Sequence, residues 1–385
     1  MAIAYVTGSV APYHHRLFDA YGKTNGADLR VFQCAVVEPG RKWKTPAPQN
    51  YQLTLLKGYG YHVSDVRHYY FNPDVLWRLT KLAPECVVID SFSPTMLAAA
   101  QYGFATGTPV GFCIEGARDM DPGETSWPHR RARRWVASRA KFALCTSRAA
   151  MEMMEHWGLK PGAGTFVPHF GAWDAPSELR DFDQRNFDIL VCGTLNTRKN
   201  PLFVADVVDR LVADGFRPKV RIVGDGALRE PLAKRFADRG VEAQFDGYLQ
   251  PAGIIEAYQS AKLLLFPTLT DTWGLVANEA MLCGTPVLAS RHAVSSRELV
   301  EVYGTGLVRD LDPDLWARSV REMLSSKPVW QGFQRRRAEA MSWFCVDQAV
   351  AGFKGAIEKG RSARRPQAIS GSARQVDDAD RASHP

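Results

Sequence analysis

Short, continuous apolar runs recur along the chain, each separated from the next by enough residues for a helix. The first half offers IAYVTG, LRVFQCAVV, CVVID, PVGFCIE and FALCTS; the second offers FDILVCGTL, KVRIVGDG, KLLLFPT and PVLAS. A strand with one face in water would alternate apolar and polar residues, so these unbroken runs predict parallel strands covered on both faces. With helical patterns between them they predict an α/β fold, built twice. Between the halves, AWDAPSELRDFDQRN is polar, contains proline and has no period. The pattern therefore predicts a first Rossmann-like domain over 1–170, a linker over 171–186 and a second Rossmann-like domain over 187–342. SWFCVDQAVAGFKGAIEKG reads as an amphipathic helix over 343–360 that returns toward the first domain. The polar residues 361–385 are predicted to be disordered.

Composition agrees with this division. A chain of 385 residues exceeds what one hydrophobic core usually serves, and 45% hydrophobic with 23% charged residues is typical of globular proteins. The opening MAIAYVTGSV enters a strand-like run at once, and no apolar run approaches the roughly 20 residues needed to cross a bilayer. Both features predict a cytoplasmic protein. The seven cysteines are odd in number and include no C-x-x-C. Cys34, Cys86, Cys113, Cys145 and Cys192 sit inside the apolar runs, where cysteine acts as a small core residue. A net charge of +7 favours anionic partners: phosphates, lipid head groups or nucleic acid.

Two open α/β sheets face to face enclose a cleft lined by the carboxyl ends of their strands, so chemistry is expected in the loops that follow those strands. The most informative is DTWGLVANEAMLCGTPVLAS, residues 271–290. If Leu275 to Cys283 form a helix, the neighbours of Glu279 at spacings of three and four are Leu275, Val276, Leu282 and Cys283, all apolar. The turn delivers the amides of Gly274, Leu275 and Val276 to the cleft at a helix amino terminus, a place suited to a diphosphate. Glu279 lies about 7.5 Å further along the axis, at 1.5 Å per residue, while Asp271 precedes the helix. Two acids on either side of the amides suit a ligand with hydroxyls at both ends and a diphosphate between, as in a nucleotide sugar. The competing reading makes Glu279 a structural acid satisfied by backbone or an arginine.

Other loops repeat the arrangement of strand, turn and helix. In CGTLNTRKNPLFVADVV, Arg198 and Lys199 precede a helix opened by Pro201; they are either phosphate cations or a solvated turn. In IVGDGALREPL, Gly224-x-Gly226 lacks the third glycine of a dinucleotide fingerprint. In the first half, VTGSVAPYHHRLFDAY places Gly8, Ser9, His14 and His15 after the first strand, on the cleft side. These histidines either meet a ligand or cap or line the surface between domains. The stretch 127–141, WPHRRARRWVASRAK, puts Arg130, Arg134 and Lys141 near one face of a helix, with Trp127, Trp135 and Val136 as apolar contacts. It reads equally as a helix lying on an anionic membrane or as a solvated interdomain helix. Two D-x-D pairs, Asp119/Asp121 and Asp378/Asp380, carry no metal expectation.

The 271–290 segment resembles the E-x7-E signature of family 4 glycosyltransferases, retaining enzymes of the GT-B fold, with Asp271 in place of the first glutamate and Glu279 as the second. The resemblance runs from about ILVCGTLNTRKNP to the closing amphipathic helix and is weaker in the first half. It implies that Asp271 meets the donor sugar, that the amides of 274–276 hold the diphosphate and that Glu279 binds the ribose. Lys199 matches the family lysine. Thr194 stands where arginine is frequent, a loss that Arg198 compensates. The resemblance also places Gly224, Tyr248 and Leu249 near the base, and Glu115 of GFCIEGARD where many members carry histidine, to position the acceptor or polarise its hydroxyl. Glu115 also reads as a helix-start acid.

The combined expectation is a GT-B glycosyltransferase moving a hexose-like unit from a nucleotide-sugar donor to a carbohydrate or lipid-linked acceptor in surface polysaccharide or glycolipid assembly. No cofactor or metal is expected. The alternatives are a nucleotide-sugar epimerase of the same fold, a non-enzymatic sugar-nucleotide binder and an RNA-binding protein, although no nucleic-acid module accompanies the basic stretch.

Overall fold

The computed structural model describes residues 2–364 except 27, 39–42, 44, 65 and 66. Asp378 and Asp380, with the rest of the tail from 365, lie outside the described residues. The first lobe contains β1 (Ala2–Thr7), β2 (Asp28–Gln33) and β3 (Gln52–Leu55), then a hairpin of β4 (Tyr59–Ser64) and β5 (Arg67–Phe71). It continues with β6 (Cys86–Ile89), β7 (Val110–Ile114), β8 (Phe142–Cys145) and β9 (Gly164–Phe166). Apart from the hairpin these strands form one parallel sheet in the order β3-β2-β1-β6-β7-β8-β9. The second lobe contains β10 (Phe187–Cys192), β11 (Val220–Val223), β12 (Ala243–Gly247), β13 (Ala261–Phe266), β14 (Val287–Ser290) and β15 (Gly306–Arg309). They too are parallel, in the order β12-β11-β10-β13-β14-β15.

The unbroken apolar runs are explained by helices on both faces of each sheet. Every residue of β1 and of β6 is buried. Alternate side chains enter opposite cores: Ala4, Val6, Val87 and Ile89 on one face, Ile3, Tyr5, Cys86 and Val88 on the other. In each sheet the strand order reverses once, between β1 and β6 in the first and between β10 and β13 in the second. Helices leave opposite faces at such a point, and a crevice opens at the carboxyl ends of the two strands.

The segment joining the lobes is anchored at both ends. Arg16 donates to the carbonyl of Gly171 and pairs with Asp174. At the other end Arg185, 3% exposed, donates to the carbonyls of Arg180, Tyr258, Ala261, Cys283 and Gly284 and to Thr285 Oγ1. Its guanidinium is a buried cation compensated by carbonyls at the carboxyl ends of two helices rather than by a carboxylate.

Two sequence expectations about helix limits are corrected. The closing helix runs Val346–Arg364 rather than over 343–360. Phe344 leaves the helical conformation and stacks its ring 5.5 Å from that of Trp273. The helix then crosses to the first lobe, where Phe353 meets Tyr21 at 4.6 Å and Gly352 brings the backbones together. A Cβ at Gly352 would lie 2.0 Å from the Phe166 carbonyl oxygen. The basic helix ends at Ala137, so Lys141 does not share its face. The Lys141 amide instead bonds to the Val110 carbonyl, 2.9 Å away, where the sheet begins. No helix among the described residues is long and apolar enough to cross a membrane.

Candidate functional site

Two of the loops that carry candidate donor residues leave the β10/β13 crevice. After β10 the chain turns at Gly193, and Asn196 caps a short 3-10 turn, Thr197–Lys199, by accepting from the Lys199 amide. This turn aims Arg198 and Lys199 across to the loop that follows β13. Lys199 Nζ donates to Asp271 Oδ2, and Arg198 Nη1 lies 3.5 Å from the same oxygen while donating to the Thr270 carbonyl at 3.0 Å. Asp271 is held from behind by its amide, which bonds to the His292 carbonyl. The expected cations and the first acid are therefore together, as an ion cluster.

The helix after Gly274 spans Val276–Leu282. Gly274 has φ +95°, and a Cβ there would lie 2.7 Å from the Phe266 ring. Only glycine fits this turn without strain. Glu279 projects from the helix and accepts from Tyr258 Oη at 2.8 Å through Oε2. Oε1 has no donor among the described residues. Burial lifts the Glu279 carboxyl to about 7, against the opposing pull of Tyr258 and Lys199. The alternative of a backbone or arginine partner is not what the structure shows, since one oxygen takes a tyrosine and the other stays open.

Gly224 holds two loops together. Its φ is +128°, and a Cβ would lie 1.9 Å from the Gly193 carbonyl oxygen. The Leu195 amide bonds to the Asp225 carbonyl and the Gly193 amide to the Val223 carbonyl, so the loops after β10 and β11 pack backbone to backbone. Thr194 is exposed, Tyr248 is 42% exposed, and Leu249 packs against the second core.

The lobes meet at Glu115. Its Oε1 is 3.0 Å from His169 Nε2, and its Oε2 accepts from Thr272 Oγ1 at 3.4 Å. Burial pushes the Glu115 carboxyl up, but His169, His14 and Thr272 outweigh it and hold the group down at about 2. Glu115 is thus a carboxylate that fixes the first lobe beside the 271–274 loop, and not a helix-start acid. His14 belongs to this neighbourhood: its ring stacks on Phe18, and burial drops it to about 4, so it is neutral. His15 does not. Its Nδ1 lies 3.0 Å from Tyr51 Oη on the far side of the helix. Gly8 accepts from the Cys34 and Ala35 amides, and Ser9 is buried with its carbonyl facing Thr7 Oγ1.

Three residues escaped the sequence reading. His169, buried between Tyr13 and Trp273, follows the last strand of the first lobe in VPHFG. Tyr258 lies on the buried face of the helix Pro251–Ser260, where a tyrosine is hard to tell from a core residue. Glu298 accepts from the amides of Arg148 and Ala149 at 2.9 and 2.8 Å, clamping a helix start of the first lobe. The D-x-D carboxylates are both engaged: Asp121 with Gly123, Trp157 and buried Arg133, and Asp119 with Arg297 at 3.4 Å.

The family described as glycosyl transferases group 1 matches residues 186–326. The D-inositol 3-phosphate glycosyltransferase of Geodermatophilus obscurus is 27% identical over 245 residues, 58% of this chain and 54% of that protein. The GDP-mannose-dependent alpha-(1-6)-phosphatidylinositol dimannoside mannosyltransferase of Mycobacterium tuberculosis is 30% identical over 176 residues, 44% of this chain and 42% of that protein. The chain therefore spans about half the length of these relatives. Among solved structures, Anabaena HepE in complex with UDP superposes with a TM-score of 0.71 at 15% identity, covering 93% of this chain and 100% of that one. Sucrose-phosphate synthase from Thermosynechococcus elongatus gives 0.70 at 14% identity, covering 94% and 100%. These two share the fold, which is GT-B. Residues 186–326 thus match the glycosyl transferases group 1 family, on a GT-B frame that extends over both lobes.

Proposed function

We propose that the protein is a retaining glycosyltransferase that moves a sugar from a nucleoside diphosphate donor to a carbohydrate or lipid-linked acceptor in surface polysaccharide or glycolipid assembly. The observation that carries this reading is the position of Lys199, bonded to Asp271 and within electrostatic reach of Glu279, at the strand-order reversal of the second sheet. A donor entering the crevice takes the cations from Asp271. Its diphosphate lies against Arg198, Lys199 and the 274–276 amides, the ribose against the open oxygen of Glu279 and the sugar against Asp271.

As the bond from the anomeric carbon to the diphosphate breaks, charge grows on the departing oxygen, and Arg198 and Lys199 stabilise it. The acceptor oxygen attacks from the same face. A carboxyl held at about 2 is a poor base at neutral pH, so Glu115 orients the acceptor hydroxyl, and the proton passes to the departing diphosphate. Closure of the lobes excludes water. HepE, solved with UDP and with UDP-glucose, supports the donor class.

A thermal-shift screen against UDP-, GDP- and ADP-sugars tests the reading. A donor at a hundred times its Kd adds about 2.7 kcal/mol of stability. Lys199→Ala and Glu279→Ala should lose that shift. If no nucleotide sugar stabilises the wild-type protein, the reading fails.

The membrane part of the proposal is supported by one surface. Tyr59, Tyr61, Val63 and Phe71 are exposed together on one face of the β4–β5 hairpin, whose Tyr69 meets His129 of the basic helix. Trp127, 68% exposed, carries Arg131 over its ring. Aromatic rings beside arginines suit an anionic bilayer surface. Cosedimentation with phosphatidylglycerol vesicles, abolished by Trp127→Ser with Tyr61→Ser, is the expected result; equal binding to neutral vesicles would overturn it.

A further inference from the structure

The strand-order reversal of the first sheet forms a second crevice, between the carboxyl ends of β1 and β6, and its chemistry differs from that of the donor side. Gly8 closes β1. Asp90 follows β6. A Cβ placed on Gly8 would lie 3.0 Å from Tyr70 Cε2, 3.4 Å from Glu38 Oε1 and 3.7 Å from Tyr70 Cζ, so the phenol end of Tyr70 and the Glu38 carboxylate both border the bare backbone of Gly8. Tyr70 comes from the inner face of the β4–β5 hairpin. It is 2% exposed, and its hydroxyl has no hydrogen-bond partner among the described residues. A buried hydroxyl without a partner is costly unless a ligand completes it. Its neighbours Glu38 and Asp90 are acids, and Glu115 acts on Asp90 from the side of the donor loop.

We infer that Glu38, Tyr70 and Asp90 around Gly8 form the acceptor subsite, and that it selects an uncharged polyhydroxylic sugar over a phosphorylated one. The inference rests on the proposed transferase reading and names the acceptor class for it. A carboxylate takes two hydroxyls of a sugar ring at once, and a phenol both donates and accepts, so the three groups match vicinal hydroxyls. Among the described residues, a phosphate here would meet acids from the loops after β2, β6 and β7. Such like-charge contacts are a selective device as effective as any attraction. Burial, with Glu38 and Glu115 adding to it, lifts the Asp90 carboxyl to about 7 against its bond to Thr7, which lets the group accept from or donate to a hydroxyl near neutrality. The bare backbone of Gly8 is what lets Tyr70 and Glu38 come this close. Glu115, which accepts from Thr272 of the loop that holds Asp271, adds its charge to this acidic crevice.

Saturation-transfer NMR on the full chain with saturating UDP provides the test, using methyl α-D-glucopyranoside, methyl α-D-mannopyranoside and methyl α-D-galactopyranoside against glucose 6-phosphate and mannose 6-phosphate. At least one neutral glycoside should bind roughly tenfold or more tightly than either phosphate. Asp90→Asn and Tyr70→Phe should each weaken it by about tenfold while leaving stabilisation by UDP unchanged. Glu38→Gln, at a half-buried position that does not threaten folding, should weaken the neutral glycoside and narrow the gap to the phosphates. Phosphates that bind as well as the neutral sugars, neutral sugars that fail to bind, or binding indifferent to all three substitutions would overturn the inference. Failure of the transferase reading itself would appear separately, as wild-type protein that UDP and UDP-sugars do not stabilise.

Discussion

Glu279→Gln separates a ribose-binding carboxylate from a structural one. The wild-type carboxyl sits at about 7, so it is about one-tenth ionised at pH 6 and about nine-tenths at pH 8. Ribose hydroxyls bonded to a charged oxygen gain about 1.5–3 kcal/mol, against roughly 0.5–1.5 for a neutral amide. The difference of about 1–1.5 kcal/mol predicts a UDP Kd roughly five- to tenfold weaker in the variant at pH 8 and nearly equal to wild type at pH 6. Stability moves the other way. A carboxyl raised above its usual 4.5 holds its proton better in the folded state, so its contribution is complete below pH 4.5 and is lost as pH rises through about 7. Raising it from 4.5 to about 7 corresponds to at most roughly 3 kcal/mol, and partial access to the crevice reduces this to about 1–2. The unliganded variant should therefore melt higher than wild type at pH 8, with little difference at pH 5. Isothermal titration calorimetry with UDP at both pH values, beside melting curves, reads both effects. UDP affinity that ignores the substitution at pH 8, or a variant that melts lower there, would refute the reasoning.

Other outcomes follow from the same geometry. Lys199→Ala should lower kcat by about a hundred- to a thousandfold in steady-state transfer assays, since it removes charge where the leaving group develops it; its melting temperature should fall only slightly, because Arg198 remains 3.5 Å from Asp271. Gly224→Ala forces a methyl into the Gly193 carbonyl and should destabilise the second lobe by about 2 kcal/mol or more in urea unfolding. Glu298→Gln weakens two bonds across the lobes and should cost about 1 kcal/mol while raising amide exchange at Arg148 and Ala149. On the proposed reading, in which Arg198 and Lys199 meet the diphosphate, transfer should persist in EDTA.

What could be read from the chain beforehand depended on whether the signal was local. The strands were legible because β1, β6, β13 and β14 are covered on both faces and so are almost wholly apolar. The pairing of Lys199 with Asp271 was foreseeable in kind, since each follows a strand end, but its geometry needed the neighbouring positions of β10 and β13. Tyr258 was not legible. It lies 21 residues from Glu279, and its hydroxyl is one polar atom on a buried face. His169 was missed because its role depends on Glu115 and Trp273, which come from different lobes. The limits of the last helix and of the basic helix were set by tertiary demands: Phe344 seeking Trp273, and the Lys141 backbone joining the sheet. His15 was grouped with His14 by adjacency, yet consecutive helical positions point about 100° apart, and only His14 turns toward Glu115.

The Arg185 guanidinium determines where the molecule can bend. Because it grips the carbonyl ends of the helices that carry Tyr258 and Glu279, the chain from Arg180 onward travels with the second lobe as one rigid piece. Arg16, through Gly171 and Asp174, ties this stretch to the first lobe, while Trp173 reaches into the core of the second. Between these anchors lie residues 175–178, before Leu179 meets Gly284 of the second lobe, and the chain crosses back at 344–346, so any bending should be concentrated there. A proline placed at Ser177 should stiffen opening and closing while both half-sites remain intact.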